Sequence, residues 1–535
     1  MLIAYVSDEN FVALSDVTVE LVGAGESVAT RSRASGAVHA DVPPGYYTVY
    51  LSCPGYGSKR SEIDVAPDRP VQLRLLRDTV LGYAWPKWVR AGEEVEVRVH
   101  SRSEYRVELW RYGWEKQLVR ELGYGRHFLD SSRNIVPDGD YVRTGVGWRD
   151  PMRTTAPSES GLYFFHVHTG SGETTTFPLV VAPALPTASI AVLTSSLTWN
   201  AYNHFGGRSN YIHPVALPAR PSVNRRQDLV RYHSPMKEKT TGGYDDAAFG
   251  TIAREWIVND YPPLSFDRPE PANTVPVDAH ITDPIVGRDS SGLGAAEWRL
   301  LGWLEREGFA ADTYSDVQLH TGVLDLDAYR VLVLNTHPEY WSRRMYDRVL
   351  AWVTERGGRL VYLGGNGVEC EVELTDEHTM IVRNGDSRTF QTRDSQSSRF
   401  FGVSHVRGES LLGVRTCLDA FLTGAPYRVM NAAHWVFDGT GLAEGALFGQ
   451  RTLSTRAPGG ASGHETDEMT KNSPAGTTLL AKGTNPGNTG ADMVHYQTAS
   501  GGQVFSVGSI TYPAALPVDD VVSRITANVL RRFTA

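Results

Sequence analysis

The chain has 535 residues, 52 of them basic and 61 acidic, with a formal net charge of -9 and 41% hydrophobic residues. That length exceeds what one hydrophobic core supports, so several domains are expected. The mild negative charge argues against a nucleic-acid groove or a membrane-surface patch, and no apolar run is long enough to span a bilayer.

Residues 1–78 alternate apolar and polar over short segments such as VTVELVG, YYTVYLS and VQLRLL, separated by Gly and Pro. This pattern predicts a small antiparallel β-sandwich. VPPGYYTVYLSCPGYG is similar to carboxypeptidase-regulatory or prealbumin-like modules. Its start, MLIAYVSDENFVAL, shows no basic leader or cleavage-site pattern, which favours a cytoplasmic location.

Residues 79–185 predict a second sandwich, with EEVEVRVHS, YRVELWRY, GLYFFHVHT and TTTFPLVVAP as its clearest strands. Trp85, Trp88, Trp110, Trp114 and Trp148 gather here, suited to a core or to a carbohydrate-stacking platform, and the core reading is preferred. His166 and His168 in FHVH point to one face of a strand, a workable metal geometry that lacks a third ligand at fitting spacing, so a pair of exposed or core-satisfied histidines is the preferred reading. The Pro- and Ala-rich VAPALPTA marks a boundary near residue 186.

From 186 to 535 an α/β domain is expected, because strand and helix patterns alternate from SIAVLTSS onward. Its anchor is VLVLNTHPEYWS, residues 331–342. VLVLN reads as a strand buried on both faces, and Pro338 ends its ladder. Ser342 is a plausible N-cap for the helix SRRMYDRVLAWVTERGG, whose Met345, Val349, Trp352 and Val353 have helical spacing, and RLVYLGG is the next strand. The two strands should be parallel. Ligand sites in such sheets lie beyond the carboxyl ends of the strands, where His337, Glu339 and Asn366 fall, with Tyr202 past an earlier strand. Residues 371–500 read only as short strands and loops, and DDVVSRITANVLRRF as a closing amphipathic helix.

TWNAYNHFGGRSNY, LSFDRP, WLEREGF, THPEYWS with LVYLGGNG, and the closing GGQVFSVGSITYPAAL occur in an order that resembles the C-terminal catalytic region of the large subunit of N,N-dimethylformamidase, over roughly residues 187–535. The resemblance implies a fold like the class I glutamine amidotransferases (flavodoxin-like) and a mononuclear iron, as Fe3+, held by two tyrosines and one glutamate. It places the glutamate ligand at Glu339 and the first tyrosine ligand at Tyr202. For the second tyrosine ligand, Tyr211 fits a local Ser-x-Tyr pattern and Tyr244 fits the spacing. It also places His337, Asn366 and Glu465 beside the metal as catalytic groups. The N-terminal half does not look like the family's larger N-terminal portion.

Two phenolates and a carboxylate are hard oxygen donors, suited to ferric iron better than to zinc. Glu465 or His337 could move a proton between water and a departing amine, and an oxyanion donor such as Asn366 contributes about 3 kcal/mol in comparable sites. A thiol route is disfavoured because the turn carries Asn366, with Cys370 four residues further on, and no G-x-S-x-G elbow follows a buried strand. Cys53, Cys370 and Cys417 suggest neither a disulfide framework nor a thiolate metal site. The expected activity is hydrolysis of a small N-substituted formamide or related amide, with a homo-oligomer and a small partner subunit left open. The alternative is a non-catalytic carbohydrate- or partner-binding protein whose α/β domain has lost its metal.

Overall fold

The computed structural model describes residues 1–23, 25, 27–125, 136–213, 216–223, 261–285, 292–383 and 405–535. It is mostly β-sheet, arranged in several sheets. In the N-terminal segment a three-stranded sheet (Ala37–His39, Leu2–Ser7, Val71–Arg74) faces a four-stranded one (Ser27–Arg31, Thr18–Val22, Gly45–Cys53, Gly57–Val65). Alternating inward residues such as Val6, Val19, Leu21, Val38, Val49 and Leu73 form its core.

A second pair of sheets follows. Three strands (Met152–Thr155, Glu94–His100, Leu81–Trp85) lie over five (Lys116–Gly125, Tyr105–Tyr112, Gly161–Thr169, Thr174–Ala182, Trp88–Arg90). Val95, Val97, Val107, Leu109, Phe165 and Val167 fill the space between them. None of the five tryptophans of this region is exposed, so the structure favours the core reading over a sugar platform. The opposite face of the five-stranded sheet is also covered: Tyr112, Leu162 and Phe164 share a core with Leu197, Trp199 and Trp298.

Among the described residues the largest sheet has nine strands, and its first half is parallel. Ala311–Ser315, Ile190–Thr194, Val331–Thr336, Arg359–Gly364 and Gln503–Ser506 run side by side in one direction. Every residue of Val331–Thr336 is buried, as a strand packed on both faces requires. Leu332, Leu334, Leu360 and Tyr362 meet the helix Arg343–Glu355, whereas Val331, Val333, Val361 and Leu363 meet Gly294–Arg306 and the C-terminal helix Asp520–Thr534. Ser342 caps the first of these helices by accepting a bond from Met345 N, and Asp519 caps the last through Val521 and Val522.

The second half departs from the expected α/β layering. Asp492–Gln497, Thr478–Gly483, Tyr427–Val429 and Leu447–Phe448 extend the sheet with antiparallel pairings, so the sheet as a whole is mixed. These strands were not ordered in the sequence because two of the four have three residues or fewer and Tyr427–Val429 takes its partner, Thr478–Gly483, from far along the chain. Among the described residues, no helix is long and apolar enough to cross a membrane.

Asp519→Ala should lower stability by about 1 kcal/mol through loss of the cap. Leu332→Ala, in a strand packed on both faces, should cost about 2–5 kcal/mol. Urea unfolding of the two variants against the parent chain measures both.

Candidate metal centre

The carboxyl ends of the parallel strands supply the site. Val331–Thr336 ends in Thr336, which takes a left-handed φ of 51°, and the chain then turns through His337, Pro338 and Glu339. Arg359–Gly364 is followed by Gly365 and Asn366, the latter at φ 55°. A Cβ at Gly365 would stand 2.6 Å from the Glu465 carbonyl oxygen, so only glycine allows that segment so close. Left-handed backbone at Thr336, Asn366, Val368 and His464 surrounds the crevice, the kind of local cost that a fold retains at working sites.

Glu339 is completely buried, and both of its carboxylate oxygens are engaged. Tyr202, the last residue of the helix Ser196–Tyr202, donates its hydroxyl to Oε2 at 2.8 Å. The Tyr211 hydroxyl donates to Oε1 at 2.7 Å. The Tyr340 hydroxyl in turn donates to the Tyr211 oxygen at 2.7 Å, and Asn210 Nδ2 donates to Tyr340 at 2.7 Å. Cys370 Sγ lies 3.6 Å from Glu339 Oε1, so this thiol borders the site. Thr198 fixes the turn, donating to the His337 carbonyl at 2.8 Å and accepting from Glu339 N at 3.2 Å.

On the other side of the carboxylate stand the remaining polar groups. His337 Nε2 is 3.2 Å from Glu339 Oε2 and 3.4 Å from Glu465 Oε2. Burial opposes an imidazolium there, but the hydrogen bonds and charges of Glu339 and Glu465 outweigh it and push His337 up to about 9. Asn366 Nδ2 donates to Glu465 Oε2 at 2.5 Å and lies 3.4 Å from His337 Nε2. Its amide orientation is fixed from behind, because Thr416 donates to Asn366 Oδ1 at 2.8 Å. Asp467 accepts from Asn366 N at 2.8 Å and from the Tyr362 hydroxyl at 2.7 Å. Burial pushes the Asp467 carboxyl up to about 6, with Tyr362, Asn366 N and Thr416 restraining the rise.

The structure therefore brings Tyr202, Tyr211, His337, Glu339, Asn366 and Glu465 into one buried cluster. Tyr244 lies outside the described residues. Two donor sets share Glu339. One is the all-oxygen set of Tyr202, Tyr211 and Glu339; the other is His337, Glu339 and Glu465, with one ligand atom of each within 4.8 Å of the others. The oxygen set fits a hard trivalent cation: two phenol protons already point at one carboxylate, and their replacement by a cation leaves every oxygen satisfied. Sequence reasoning missed Tyr340, Thr416 and Asp467. Tyr340 adjoins Glu339 within the THPEYWS motif and was within reach. Thr416 and Asp467 sit on the short paired strands Arg415–Cys417 and Thr466–Glu468, which carry no periodic signal.

Comparison with known proteins bears on this geometry. A family model described as N,N-dimethylformamidase beta subunit-like, C-terminal, matches residues 106–525. The chain belongs to this family. The match begins on the strand Tyr105–Tyr112 and so takes in most of the second sandwich, which the motifs alone had left out. The N,N-dimethylformamidase beta subunit of Paracoccus aminophilus is 27% identical over 44% of this chain and 36% of that protein. Its counterpart from an Alcaligenes species is 26% identical over the same shares. The aligned part is thus little more than a third of either relative's length. Among solved structures, a β-galactosidase from Bacillus circulans sp. alkalophilus is 14% identical over 44% of this chain and 27% of its own, with a TM-score of 0.27, too slight a likeness to bear on the fold.

In chelator-treated protein, the raised His337 value gives a signed dependence on pH. Stabilisation from its imidazolium is complete below the ordinary 6.5 and is lost as pH rises through about 9. Urea unfolding across that range should show stability falling, and the fall should shrink in His337→Gln.

Proposed function

We propose that this chain hydrolyses a small N-substituted formamide or related amide to the acid and the amine, using one ferric ion held by Tyr202, Tyr211 and Glu339. The observation that carries this reading is the meeting of two phenol hydroxyls with both oxygens of one fully buried carboxylate, beside an imidazole, an amide and a second carboxylate. Membership of the dimethylformamidase family supports the reaction class.

When bound, such an ion supplies Lewis acidity to an amide carbonyl and to water. The chain's own groups account for the rest. Asn366 Nδ2, its orientation set by Thr416, is the donor available to the carbonyl oxygen as negative charge develops there. His337 and Glu465 share a proton region at 3.4 Å, suited to taking a proton from water and returning it to the departing amine nitrogen. Burial of His337 and Glu339 excludes bulk water and strengthens each of these interactions. Tyr340, bonded to Tyr211, keeps that phenol in place.

The same reading extends to the scaffold and the assembly. We take the parallel half of the large sheet to be laid out like the class I glutamine amidotransferases, with the site beyond the strand ends. A large-subunit role in the cytoplasm, beside a small partner subunit or a second copy of the chain, completes the proposal.

Elemental analysis of the purified chain should find about one iron, with a visible phenolate-to-iron band. That band should disappear in Tyr202→Phe and be displaced or lost in Tyr211→Phe, and Glu339→Gln should lose the metal. An unaltered band in Tyr211→Phe would move the second ligand elsewhere. Asn366→Ala should keep iron while formamide turnover falls by about two to three orders of magnitude. Full iron content in Glu339→Gln would refute the assignment.

A further inference from the structure

His166 and His168 take no part in the site above, and along the chain no third ligand accompanies them. The fold supplies one from the neighbouring strand. In the antiparallel register of Tyr105–Tyr112 with Gly161–Thr169, Glu108 lies directly across from His166 and Arg106 across from His168. All of these point to the sheet face turned away from the sandwich's own core, which is built from Val107, Leu109, Phe165 and Val167.

One ligand atom from each of Glu108, His166 and His168 lies within 4.8 Å of the other two. His168 Nε2 is buried, has no hydrogen-bond partner among the described residues, and stands 3.4 Å from Glu108 Oε2. The rest of the His168 side chain is 27% exposed, which leaves a route from solvent. His166 Nε2 is 2.8 Å from the Tyr112 hydroxyl, and the ring stacks on Trp110 at 5.2 Å. Burial, with Lys116 and His168 adding to it, pushes His166 down to about 3. Glu108 is held in place by Trp110 Nε1 on Oε2 and Arg106 on Oε1, each at 2.8 Å.

We propose that Glu108, His166 and His168 bind a divalent cation of the zinc, cobalt or nickel class, at a site separate from Glu339. Two imidazoles and one carboxylate are the donors that such borderline cations prefer, and three protein ligands leave a position for water. In the tautomer whose Nε2 proton is directed at Tyr112, the Nδ1 of His166 carries the lone pair a metal takes, and the hydroxyl acts as the outer partner that orients a metal-binding histidine. The Arg106 guanidinium already neutralises Glu108 and opposes a dication, so the cation exchanges with solvent instead of holding the fold together.

Zinc titration calorimetry and elemental analysis after dialysis, on the full chain, test this. The parent chain should take up one zinc more than His168→Ala, with iron content and formamide turnover unchanged in that variant. His168→Asp, which puts a carboxylate donor in place of the imidazole, should recover the extra zinc. Equal zinc uptake by the parent and His168→Ala would overturn the proposal. So would loss of the extra zinc in a folded Glu339→Gln variant that keeps His168.

Discussion

A carboxylate with no solvent exposure must find its hydrogen bonds within the protein, and the Glu339 side chain sets that demand here. Its phenol donors come from outside its own segment. Tyr202 reaches it from the end of a helix, Tyr211 from the loop beyond, and the imidazole of His337 from two residues upstream, where the turn folds the ring back. Each partner is itself buried or partly buried and has further partners, so the site is a network in which removing one group leaves others unsatisfied.

Charge sharpens the point. Glu339 and Glu465 both face His337, and Asp467 stands directly behind Asn366. One imidazolium balances one of these carboxylates and leaves the buried region short of positive charge. Burial alone disfavours that state, as the upward shift of Asp467 shows. A cation beside Glu339 would supply positive charge there, a physical motive for the proposed metal apart from family likeness.

Much of this was legible where structure is local. Val331–Thr336 and Arg359–Gly364 announced themselves as buried strands, Ser342 as a cap, and the glycines before Asn366 as a close approach, since each rests on neighbours within a few residues. What resisted reading was made by distant partners. The helix Ser196–Tyr202 receives no capping bond from the Ser195 side chain; Leu197 N donates instead to Asp316 at 3.1 Å and Ser195 N to Glu297 at 3.0 Å. Glu297 and Asp316, both pushed up to about 8 by burial, lie more than ninety residues from the helix they begin. Thr416 and Glu108 escaped notice for the same reason, being meaningful only across strands.

The loop between Tyr202 and Tyr211 shows why the N-terminal sheets matter to the centre. Arg268, fully buried in the LSFDRP motif, donates to the carbonyls of Asn203 at 2.9 Å and Phe205 at 2.8 Å. From the first sandwich, Arg74 Nη2 reaches the Gly206 carbonyl at 3.1 Å, and Gly206 N donates to the Glu9 carbonyl at 2.8 Å. At Gly207, φ is 83° and a Cβ would strike Phe11 and the Asn10 backbone, so glycine is what lets this loop press against the N-terminal segment. The second sandwich braces the unit from another side through Tyr112, Leu162 and Phe164. A phenol can stay within 2.7 Å of a carboxylate only if the backbone bearing it cannot drift, so the sandwiches act here as walls of the Tyr211 loop and of the sheet beneath it.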